Sequence, residues 1–111
     1  MTERIVSDHE VGKALDWLRD SAKEIGDAKA RAVKAGHMLK HVESLMYKAS
    51  DASSDGKRQA DARTSAEYVQ AALEDAEASG ELAKLYSLRE AAAAKIEAWR
   101  TEQSNFRAMK I

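Results

Sequence analysis

Five basic side chains, Lys29, Arg31, Lys34, Lys40 and Lys48, share a stretch that holds one acid, Glu43, and two histidines, His37 and His41. Ammonium and guanidinium groups repeated along one segment can neutralise successive phosphates of a nucleic acid and release their condensed counterions. Lys57, Arg58 and Arg63 extend that basic surface around a following turn, and Tyr47 or Tyr86 could stack on bases. The competing reading is an ordinary solvated lysine face. Glu67, Glu74, Asp75, Glu77 and Glu81 form an acidic band with no basic residue between them. The two bands either pair with each other or serve different surfaces. A net charge of -1 argues against coating nucleic acid by bulk charge. No helix-turn-helix or zinc-finger pattern is present, so any such binding is expected to ignore base sequence.

Other chemistries find little material. His37 and His41 are one helical turn apart and could meet one metal, but no third ligand follows at zincin or diiron spacing. No metal site is expected. The serine- and aspartate-rich run Ser50–Gly56 lacks the alternating oxygen ligands and closing glutamate of a calcium loop. Glu74, Glu77 and Glu81 share a helix face, but acid–base catalysis also needs a cleft that tunes carboxylates. The sequence has 0 Cys, which removes thiol catalysis, disulfides and thiolate metal sites. No glycine loop for phosphates is present. The expectation is a protein that is not an enzyme and carries no cofactor.

The elements that must position the basic residues are helical. With 0 Pro and 5 Gly in 111 residues, long helices are favoured, and no alternating run supports a strand. Residues 1–7 read as a flexible arm. Ser7, Asp8, His9 and Glu10 form a capping box, with Val6 placed for a hydrophobic staple. Helix one is expected over residues 8–50, with Val11, Leu18, Ile25, Ala32, Leu39 and Met46 at seven-residue spacing and Gly26 as the best position for a break. Residues 51–63 read as a turn followed by Lys57 to Arg63, which is either a disordered link or the first turns of the next helix. Helix two is expected over residues 64–109, capped by Thr64 with Glu67, and continuous through its weak point at Gly80.

Within helix two, Leu85, Ala92, Trp99 and Phe106 recur every seven residues and Ile96 precedes Trp99 by three. On a helix these form one apolar seam with Arg100 and Arg107 at its edge. The fold expected is all-α: one domain over residues 1–111, a long antiparallel hairpin. Much of its apolar content is alanine, so a lone hairpin would leave the seam partly exposed. Assembly into a coiled-coil-like oligomeric bundle is therefore expected. No apolar run reaches membrane-span length and no signal-peptide core follows Met1, so a soluble, cytoplasmic chain is expected.

Tyr68 to Leu73, Leu85 to Leu88, Trp99-Arg100-Thr101 and Arg107-Ala108-Met109 resemble short all-helical proteins of tailed phages and prophages. The layout is distantly similar to the phage recombination mediator family: a basic first helix ending near a tyrosine (Lys40 to Lys48), a polar turn, and a second helix with an arginine-bearing end (Arg100, Arg107). The resemblance implies a homo-oligomeric accessory protein of phage DNA metabolism that binds single-stranded DNA and works with a recombinase or another phage protein. A helical structural or protein-interaction module, such as an assembly or scaffolding factor without nucleic-acid binding, is the alternative the composition leaves open.

Overall fold

The computed structural model describes residues 5–109, so the first four positions of the expected arm lie outside the described residues. Four helices follow in order: α1 (Asp8–Asp20), α2 (Ala22–Ala49), α3 (Asp55–Thr64) and α4 (Ala66–Met109). No strand occurs among the described residues. The chain divides into two compact units, the described part of Met1–Ile25 with Lys84–Ile111, and Gly26–Ala83. Each is an antiparallel helical pairing, as the hairpin pattern predicts.

The first unit sets α1 against the C-terminal half of α4. Ser7 caps α1: its hydroxyl accepts from the Glu10 N–H, and the Glu10 carboxylate accepts from the Ser7 N–H at 2.9 Å. Val6 and Val11, the two staple positions flanking that cap, are both buried. Glu102 on α4 accepts from the Ile5 and Val6 N–H groups at 2.7 and 3.2 Å, holding the approach to the cap. Val6, Val11, Ala14 and Ile25 are buried here together with Leu85 and Ala92 of α4.

Helix one is not continuous over residues 8–50. It is interrupted at Ser21, not at Gly26, and it ends at Ala49. The interruption is slight, because the Ser21 N–H still reaches the Trp17 carbonyl at 2.8 Å and the Ile25 N–H reaches the Ser21 carbonyl at 2.9 Å. Gly26 lies inside α2, and a Cβ built there would meet nothing within 4 Å. It therefore marks no close contact, and the helix continues through it.

In the second unit, the turn between α2 and α3 is shorter than residues 51–63. The Ser50 hydroxyl accepts from the Ala52 N–H and donates to Asp61 at 2.7 Å. Ser54 then caps α3 through the Lys57 N–H. Residues 55–64 are thus neither a link nor the start of α4 but a separate helix, pinned by the fully buried Ala62. Nor is Thr64 the cap of α4. Its hydroxyl donates back to the Ala60 carbonyl at 2.9 Å, and Ser65, in extended conformation, accepts from the Tyr68 N–H. From there α4 runs for 44 residues through Gly80.

The core of this unit is thin. Ala28, Ala62 and Ala71 are buried, whereas Val33, Met38, Leu45, Val69 and Leu73 are 47–61 % exposed. Alanine contacts let the helices approach closely but bury little apolar area. Two substitutions test these assignments by reversible thermal unfolding. Gly26→Ala is expected to stabilise the fold by roughly 0.5–1 kcal/mol, since it fills open space on a helix. Leu85→Ala, at a position 4 % exposed, is expected to destabilise it by about 3 kcal/mol through lost packing and a cavity.

Candidate nucleic-acid interface

Lys29, Arg31, Lys34, Lys40 and Lys48 are all exposed on α2, and none forms an ion pair among the described residues. The one acid in their stretch is occupied: Arg63 of α3 reaches Glu43 Oε2 at 3.4 Å. Glu43 is thus the one carboxylate between Lys29 and Lys48, and its contact with Arg63 is itself partly exposed. At 1.5 Å per residue the row extends about 28 Å, and its members turn by about 100° per residue around the helix.

That rotation sorts the five. The covered line of α2 runs through Ala28, Ala32, Leu39 and Met46. Lys29 and Lys40 lie on one flank of it. Lys34, Lys48, His37 and His41 continue from that flank around the outer face, whereas Arg31 falls on the opposite flank with Met38 and Leu45. On α4, the covered line of the same unit runs through Ala71, Asp75, Ala78 and Leu82. Gly36 and Asp75 set the relative side, since a Cβ on Gly36 would lie 3.6 Å from Asp75 Oδ1. With that register, Glu67, Glu74 and Glu81 fall on the flank away from the lysines, and Asp75 alone lies toward them.

Lys29 and Lys40 therefore lie away from Glu67, Glu74 and Glu81, whereas Arg31 is on the glutamates' side. Among the described residues, no ion pair joins Lys29, Arg31, Lys34, Lys40 or Lys48 to Glu67, Glu74, Asp75, Glu77 or Glu81. Spacing in each helix was visible in the sequence; the side on which one helix meets the other was not.

The three basic residues beyond the turn divide differently. Lys57 is exposed in the first turn of α3. Arg58 is half-buried, donates to the Ala52 carbonyl at 2.8 Å and lies 5.7 Å from the centre of the Tyr47 ring. Arg63 is held by Glu43. Arg58 and Arg63 thus brace the α2–α3 turn, which leaves Lys57 as the accessible extension of the row. Tyr86 is also partly covered, with the Arg89 guanidinium 4.6 Å above its ring. His37 and His41 are exposed on α2, and no cluster of three potential metal ligands occurs among the described residues.

The seam residues of α4 face the chain's own first helix. Leu85 and Ala92 are buried within a single chain, and Ile96, Trp99 and Phe106 are half-buried. The Trp99 indole N–H donates to Asp8 Oδ1 at 2.8 Å. The apolar side chains that remain uncovered in this unit are others: Ile5, Leu15, Leu88 and Met109. Sequence periodicity found the seam but not which helix fills it.

No protein-family model matches this chain, and no curated protein or solved structure matches it significantly.

Tyr47 supplies a pH test of the turn. Its hydroxyl donates to Asp55 Oδ1 across the α2–α3 connection. That bond holds the phenol above its ordinary value near 10, with desolvation and the Asp55 charge acting in the same direction. Because the folded value is raised, the contribution to stability is complete below the unfolded phenol's pKa and is lost as pH rises through the folded one. Absorbance titration at alkaline pH should show a late-ionising tyrosine that returns toward the ordinary value in Asp55→Asn. An unchanged titration in that variant would remove the bond from the account.

Proposed function

We propose that the protein is a non-enzymatic, oligomeric helical accessory factor that binds single-stranded DNA without base-sequence preference, in the manner of a recombination mediator. The observation that carries this reading is the exposed row Lys29, Lys34, Lys40 and Lys48, with its local acid occupied by Arg63 and the acidic stripe of α4 on the opposite flank. A row of unpaired ammonium groups along a helix can track a phosphodiester backbone, and it carries no groups arranged to read base edges.

Self-association completes the reading. Val33, Met38, Leu45, Val69 and Leu73 are too exposed for a finished core, and a second copy that covers them would repeat the lysine row along the assembly. The same exposed side chains support the second reading, a protein-interaction or scaffolding module in which lysines serve only solubility.

The two readings part on binding of a fluorescent single-stranded oligonucleotide, followed by anisotropy across a range of salt. Binding is expected to weaken linearly in log–log form with added salt. Replacing Lys34, Lys40 and Lys48 together by glutamate should lower the magnitude of that slope by about 2, from three phosphate contacts at ~0.7 each. Absence of binding at low salt by the native assembly would leave the scaffolding reading in its place.

A further inference from the structure

The C-terminal part of α4 carries a second group of residues that the lysine row does not use. Trp99, Arg100, Gln103 and Arg107 line an open recess of about 320 Å³ along one face of α4, at the small end of ligand sites. Arg100, Gln103 and Arg107 follow one another at i, i+3 and i+7, so their polar ends share one face of the helix beside the indole. Trp99 is half-buried, and its N–H is fixed to Asp8 at 2.8 Å, which pins the ring while part of it stays open to the recess. Arg100 makes only an exposed contact with Glu97 at 3.6 Å, of the kind that contributes little and exchanges readily. Arg107 makes no ion pair among the described residues.

We infer that this recess is a nucleotide subsite, in which one unstacked base of a single strand packs on the Trp99 ring while Arg100 and Arg107 hold the phosphates on either side of it. The chemistry is a fixed aromatic face, two guanidinium groups and one amide. The aromatic face accepts any base, guanidinium groups bind phosphate oxygens with charge-assisted bonds, and the Gln103 amide can donate to or accept from a base edge. An acidic peptide would use the arginines but would leave the pinned indole without a planar partner. This subsite rests on the nucleic-acid reading above, and it adds a stacking contact that a lysine row cannot provide.

The chain has two tryptophans, so Trp17→Phe leaves Trp99 as the sole indole emitter. The experiment titrates that variant with deoxythymidine and uridine 12-mers and with an abasic deoxyribose-phosphate 12-mer, reading tryptophan emission and oligonucleotide anisotropy together. The native chain is titrated in parallel, with Trp99→Phe as its control. Saturable quenching by either base-bearing strand is expected, with none from the abasic strand, and DNA and RNA are distinguished by their midpoints. Replacing Arg100 and Arg107 by alanine should weaken the quenching midpoint about tenfold or more. Anisotropy that saturates with emission unchanged would overturn the subsite and leave the lysine surface standing. Equal quenching by the abasic strand would also overturn it. Quenching that survives in the Lys34, Lys40 and Lys48 charge-reversal variant with an unchanged salt slope would uphold the subsite and remove the lysine row. If neither signal moves with any strand, both fail.

Discussion

Close packing through small residues is the constraint on which the rest depends. Ala14, Ala28, Ala62, Ala71 and Ala92 supply more than half of the buried apolar positions, with Val6, Val11, Ile25 and Leu85 as the larger members. A helix pair joined along such a line buries one narrow stripe per helix and leaves the flanks to solvent. The surface chemistry of α2 and α4 follows from this. Neither helix reaches around the other, so Lys29 and Lys40 on one flank, with Lys34 and Lys48 on the outer face of α2, stay apart from Glu67, Glu74 and Glu81 on the other flank.

That separation turns a near-neutral chain into one with two distinct surfaces. Net charge alone describes neither of them. Glu43 would interrupt the basic stretch if it were solvated and unpaired, but Arg63 occupies it from α3. The short third helix thus has a part in the electrostatics of the second as well as in the turn. Its own position depends on Ser54 at its cap, Ala62 in the core and the Tyr47–Asp55 bond across the connection.

Much of the helical content was legible in the sequence. The capping box at Ser7 and Glu10 was read from residue type and spacing, and α4 continues through Gly80 because neither proline nor a polar run opposes it. The turn region was harder. Lys57 to Arg63 has no apolar periodicity, and its helix is set by one buried alanine and a serine cap, which pattern reading does not weigh. Thr64 was the expected cap, but it donates back to Ala60 while Ser65, extended, accepts from the Tyr68 N–H. Gly26 attracted a break because glycine is costly in helices, yet an exposed glycine can stay helical when its neighbours pack well. For the candidate interface, sequence supplied the lysines and the acids. Their separation required the register at which α2 meets α4, which depends on residues distant in sequence that face one another, such as Gly36 and Asp75.

The central claim is that the lysine flank of α2 is open to an anionic strand while the acidic flank of α4 is not involved. Backbone amide chemical-shift mapping with an unlabelled deoxythymidine 12-mer tests it most directly, because it reports both flanks in one experiment. The account predicts shifts between Lys29 and Lys48, joined by a second set around Trp99 to Arg107 from the stacking subsite, with Glu67 to Glu81 unmoved. Shifts centred on Glu67 to Glu81, or an unchanged spectrum at low salt, would contradict it.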